Sequence, residues 1–159
     1  MSNVLVMFQA DTAQTEQMAL AVGVGAVEAE ASIRLRRLAA PGAVEVAHKG
    51  YGKLQKADLL WANTVVVGLE SATPKAEELE SLLLSLSGID PKELNGKQAW
   101  TFSSHGLTAD RSEAQIFVES ALRVAGILVV PMDLRIRPGA SDLIDRMKEA
   151  GHLSARLPA

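Results

Sequence analysis

Short apolar runs rich in β-branched residues punctuate the chain at residues 4–8, 32–38, 64–67, 98–102 and 127–130. Runs of this kind, bounded by turn formers and without strict alternation, are the pattern of strands buried on both faces of a parallel sheet. Between them, residues 13–28, 74–86, 111–125 and 141–150 carry apolar positions at helical spacing. Strands alternating with helices require right-handed crossovers, which predicts an α/β fold with a doubly wound parallel sheet covered on both faces. Punctuation agrees: Ser141 is placed to cap the last helix, Gly151 to end it, and Pro74 to sit in the first turn of its segment. Residues 39–55 break the pattern with Pro41-Gly42 and Gly50-Tyr51-Gly52, leaving room for a short helix or a loop.

At 159 residues and 48% hydrophobic content, the chain can bury one core, and a single domain over residues 1–159 is expected. Its 16 Lys and Arg against 19 Asp and Glu are mixed along the chain, which argues against a nucleic-acid arm or a polybasic membrane segment. There is no cysteine, so disulfides, thiolate metal sites and cysteine nucleophiles are excluded. His48, His105 and His152 are too dispersed for a local metal motif. Redox chemistry would therefore come from a cofactor, and neither a catalytic side chain nor a metal site is assigned. No secretory signal opens the chain, and its apolar runs fall well short of the roughly 20 residues of a membrane helix, so a cytoplasmic location is expected.

Open α/β sheets bind ligands outside the carboxyl ends of their strands, where the strand order reverses. Three loops meet that requirement. The first, Gln9-Ala10-Asp11-Thr12-Ala13-Gln14-Thr15-Glu16, runs straight into a helix, whose unpaired N–H groups suit a phosphate. Asp11 or Thr12 acting as a plain helix cap is the ordinary alternative. The second loop is Gly68-Leu69-Glu70-Ser71-Ala72-Thr73-Pro74, and the third is Ser103-Ser104-His105-Gly106-Leu107-Thr108-Ala109-Asp110. Their small and hydroxyl side chains let backbone approach a planar ligand, although the same residues make ordinary turns.

These segments resemble the flavodoxin family, including the flavodoxin-like quinone reductases. Val4-Leu5-Val6-Met7-Phe8 with residues 10–19 looks like the family's first strand, phosphate loop and helix start. Val65-Val66-Val67-Gly68, Thr101-Phe102-Ser103-Ser104-His105-Gly106 and Gly126-Ile127-Leu128-Val129-Val130-Pro131 resemble its later strands and flavin loops. The resemblance implies a five-stranded sheet of order 2-1-3-4-5. It also implies noncovalent FMN, with the phosphate held by Ala10, Asp11, Thr12, Ala13, Gln14 and Thr15. The ring would lie between Leu69, Glu70, Ser71 and Ala72 on one side and Ser103, Ser104, His105, Gly106 and Leu107 on the other. Leu69 and Leu107 would offer it aliphatic surface and His105 a donor, while Glu70 would disfavour an anionic reduced flavin.

The chain departs from the family pattern Thr-x-Thr-Gly-x-Thr at Ala10 and Ala13, places the acidic Asp11 in the phosphate loop, and has no aromatic residue in loops two or three. Tyr51 falls in the irregular connection, Trp61 just before the third strand, and Trp100 within the fourth, where a core position is expected. The leading expectation is an FMN-binding redox protein. It would be an electron carrier or a small flavin reductase, an FMN-dependent oxidoreductase if an enzyme, serving a redox partner protein or a small-molecule acceptor. The alternative is a flavin-free binding or regulatory module on the same scaffold. A phosphoacceptor receiver fits less well, since no acidic pair ends the first strand.

Overall fold

The run Val4 to Phe8 is wholly buried, and its strand, β1 (Asn3–Gln9), lies at the centre of a parallel sheet. The computed structural model describes residues 2–9, 13–39, 51–104, 111–132 and 142–156. In chain order the elements after β1 are α1 (Ala13–Glu28), β2 (Ser32–Leu38), β3 (Gly52–Lys53), α2 (Lys56–Trp61), β4 (Thr64–Leu69), α3 (Ala76–Ser87), α4 (Pro91–Leu94), β5 (Gln98–Ser103), α5 (Glu113–Val124), β6 (Leu128–Val129) and α6 (Leu143–Arg156).

Among the described residues the sheet has six strands in the order β3-β2-β1-β4-β5-β6, not five in the order 2-1-3-4-5. The extra strand is the exposed pair Gly52–Lys53, which adds to the edge beside Arg36 and Arg37. Two exposed residues carry no hydrophobic period, so this edge strand has no signature in the pattern. Removing it leaves the expected connectivity. β1 pairs with β2 on one side and β4 on the other, which puts the reversal of strand order between β1 and β4.

Side chains alternate across the sheet with period two. Leu5, Met7, Val65, Val67, Leu69 and Ala99 join Leu79, Leu82, Val118 and Leu122 in one buried cluster. Val4, Val6, Phe8, Val66, Trp100 and Phe102 join Met18, Val22, Met147 and Ala150 in the other. Trp100 is a core residue, as expected, and its indole N–H donates to Ser154 Oγ at 2.7 Å.

Helix punctuation differs in two places. Lys75 is the N-cap of α3, so Pro74 precedes the helix instead of entering its first turn. Gly151 lies inside α6. A Cβ on Gly151 would sit 2.1 Å from Val22 O, and one on Gly25 would sit 1.9 Å from Lys148 O. These glycines let α1 and α6 approach backbone to backbone, which overrides the usual reading of glycine as a helix stop. Ser141 lies outside the described residues.

The short helix α2 is pinned by Asp58. Its carboxylate accepts from Gln55 N at 2.9 Å, Arg36 Nε at 3.0 Å and Arg34 Nη1 at 3.1 Å, and Arg34 also stacks over Trp61, 4.3 Å from the ring centroid. Lys97 closes the other end by donating to Leu60 O and Ala62 O, and burial pushes its ammonium below the usual lysine range. Burial of Asp58 disfavours its charged form, but the Gln55 N–H, Arg36 and Arg34 outweigh this and hold its carboxyl below the ordinary value of 3.8. A lowered folded pKa contributes stability above the unfolded value and loses it as pH falls through the folded one. Denaturant midpoints should therefore drop as pH falls below about 4. Glu28, also lowered, first by its hydrogen bond to His152, contributes to the same limb from the other face. In Asp58→Asn the acid-dependent part should shrink relative to wild type; equal slopes would exclude the role given to Asp58.

Candidate functional site

The register aligns Phe8 with Gly68 and Gly68 with Phe102, so β1, β4 and β5 end at one level. Gly68 is required there because the Phe102 ring occupies the space a Cβ would take, 2.5 Å from its position. The three loops lie outside the carboxyl ends of the strands that flank the reversal of order.

Side chains and backbone bind these loops to one another. Gln9, the buried last residue of β1, accepts at Oε1 from Glu70 N at 2.7 Å and Ser71 N at 3.5 Å. Ser104 links the loop after β5 to the loop after β4. Its N–H donates to Leu69 O at 2.9 Å and its hydroxyl to Glu70 O at 3.3 Å. Gln14, on the exposed first turn of α1, closes the circuit by donating from Nε2 to Ser104 O at 2.8 Å. Ala72 O in turn accepts from Ala114 N, which ties the second loop to the start of α5.

Thr15, in the same first turn, is fully buried, and its hydroxyl has no hydrogen-bond partner among the described residues. Buried polar groups are normally satisfied, so an orphaned hydroxyl beside a helix start marks a place where a ligand atom fits. The neighbouring Ala13 and Gln14 are exposed.

Between β5 and α5 lies a polar cluster that sequence reasoning missed. Glu119 Oε2 accepts from Thr101 Oγ1 at 2.6 Å, and the carboxylate is also held by Arg111 Nε at 3.0 Å and by Arg123 at 3.7 Å. Gln115 donates to Thr101 Oγ1 and forms a capping box with Ser112. Ser104 and Arg111, the described residues on either side of the third loop in sequence, are thus both held by neighbouring elements. The only sequence signal is the polar Thr101 within an apolar strand, facing two polar positions one helical turn apart on α5.

The expected site residues thus fall into three groups. Ala13, Gln14, Thr15, Glu70, Ser71, Ala72, Ser103 and Ser104 are brought to the carboxyl edge. Leu69 reaches it only through its carbonyl, for its side chain is buried in the core below. Ala10, Asp11, Thr12, His105, Gly106 and Leu107 lie outside the described residues. Tyr51 packs edge-on against Phe8 at 5.1 Å, and Trp61 closes α2 under Arg34, so neither stands in the loops after β1, β4 or β5. Among the described residues, no group of three His, Asp or Glu side chains is placed to hold a metal ion, and no helix is long and apolar enough to cross a membrane.

No protein-family model and no curated protein sequence matches the chain. Solved structures do. A flavodoxin from the domain Archaea aligns over 96% of both chains with a TM-score of 0.71 at 19% identity. A short-chain flavodoxin associated with a non-canonical PDU bacterial microcompartment aligns over 100% of both, with a TM-score of 0.71 at 15% identity. Oxidised flavodoxin 2 from Bacillus cereus aligns over 94% of this chain and 95% of its own, with a TM-score of 0.63 at 18% identity. With nearly the whole length of the chain aligned at these TM-scores, the fold of this chain is flavodoxin-like.

Proposed function

We propose that the chain is an FMN-binding redox protein, an electron carrier or a small flavin reductase. The observation that carries this reading is the buried Thr15 hydroxyl in the first turn of α1, without a hydrogen-bond partner among the described residues, beside strand ends that Gln9 and Gln14 tie together. An N-terminal helical turn offers free N–H groups and a positive dipole end, and Thr15 adds a neutral donor for a phosphate. When bound, the flavin supplies the electron and hydride chemistry. The chain's own part is to bind and orient it: residues 13–15 at the phosphate, and the backbone of residues 69–72 and 103–104 beside the ring. The relatives with this fold carry flavodoxin names, which supports the same reading.

A flavin-free module remains the second reading, favoured by one observation. Gln9 and Gln14 already satisfy backbone groups of the second and third loops from within the protein. Titration separates the two readings. Purified protein mixed with FMN should quench flavin fluorescence to a stoichiometric end point and shift its visible bands. A colourless protein that leaves FMN fluorescence unchanged supports the module.

A further inference from the structure

Gln9 is an unusual residue for the end of a buried central strand, since it is long, polar and only 2% exposed. Burial of an amide is tolerated when its hydrogen bonds are made. Here its Oε1 accepts from two successive backbone N–H groups, Glu70 and Ser71, on the loop after β4. Both N–H groups are therefore directed at β1 and withheld from a ligand at the carboxyl edge. The other face of the same loop is fixed by Ser104, which donates to Leu69 O and Glu70 O. The peptide units of residues 69–71 thus have their orientation set from both sides by side chains and backbone of neighbouring strands.

We infer that Gln9 is a positioning residue which keeps the Glu70 and Ser71 N–H groups away from a bound flavin and thereby holds its reduction potential low. The inference rests on the FMN reading. Reduction makes the flavin ring more negative, and donors directed at a charge favour the charged form. Two backbone donors engaged by Gln9 cannot perform that task, whereas the Glu70 side chain on the same loop adds negative charge. Releasing the donors should favour the reduced cofactor.

Three proteins decide the matter: wild type, Gln9→Met, which keeps length and burial but removes the acceptor, and Gln9→Glu, which restores an acceptor at the same reach. Without FMN, amide hydrogen exchange at Glu70 and Ser71 should accelerate at least tenfold in Gln9→Met and return toward the wild-type rate in Gln9→Glu. Val6 in the same strand should be unchanged in both. With FMN, Gln9→Met should bind the reduced cofactor about tenfold more tightly relative to the oxidised one, a rise of roughly 30 mV in the two-electron midpoint potential. If Gln9→Met folds poorly, Gln9→Asn, one methylene shorter, removes the same bonds. Unchanged exchange at Glu70 and Ser71 would overturn the positioning role, and accelerated exchange with an unchanged potential would overturn its redox consequence. Wild-type protein that binds no FMN would sink the functional reading instead, and the exchange data would still decide whether Gln9 holds the loop.

Discussion

Gly151→Ala is expected to lower the melting temperature by on the order of 10 °C. Alanine in a helix interior ordinarily gains up to about 1 kcal/mol over glycine. At Gly151 the added methyl would lie 2.1 Å from Val22 O and 2.9 Å from Ala26 N, both backbone atoms that cannot move without the helix. Relief requires α6 to lift from α1, which loosens Met18, Val22 and Ala26 against Met147 and Ala150. Overpacking of this kind costs about 1–3 kcal/mol, occasionally more, and the upper end corresponds to the stated shift for a chain of this length. Gly25→Ala, facing Lys148 O at 1.9 Å, should behave alike. Gly23→Ala in the same helix provides the control, because its methyl would meet only side-chain ends, Ile33 Cδ1 at 3.1 Å and Leu35 Cδ2 at 3.5 Å. Thermal melts in which all three variants match would show that the two helices are free to separate.

Thr15→Val should weaken FMN binding by about 10- to 100-fold while leaving the apoprotein at least as stable as wild type. Hydrogen bonds to charged groups contribute about 1.5–3 kcal/mol, and each 1.4 kcal/mol is a factor of ten in affinity. Valine keeps the β-branched shape and deletes only a hydroxyl that has no partner among the described residues. Removing an unsatisfied buried donor should even raise apoprotein stability by about 1 kcal/mol. Opposite signs for stability and affinity distinguish a ligand-binding group from a structural one. Denaturation of the apoprotein and fluorescence titration with FMN measure the two, and an unaltered affinity would remove Thr15 from the site.

The central strands were legible because β1, β4 and β5 are buried on both faces and carry continuous apolar runs. The shared edge followed from the alternation of strands and helices. What escaped notice was held by interactions without a period. β3 is two exposed residues, and the six residues of α2 are organised around Asp58 by its cap Gln55, by two arginines of β2 and by Lys97 just before β5. Gly151 was misread because glycine signals a helix end by conformation but serves here by size, a distinction that depends on what lies opposite. At the carboxyl edge, Gln14 and Thr15 were found from their place at a helix start. Gln9 was passed over as the entry to the loop because its partners, Glu70 and Ser71, are some sixty positions away.

The indole of Trp100, bonded to Ser154 on one face of the sheet, and that of Trp61, lying beneath Arg34 on the other, have a practical corollary. Each half of the core contains its own intrinsic fluorophore. Emission from a chain keeping Trp100 alone would follow the undocking of α6, and emission from one keeping Trp61 alone would follow the fraying of α2. Comparing the two would reveal whether the layers covering the sheet come apart together or in sequence.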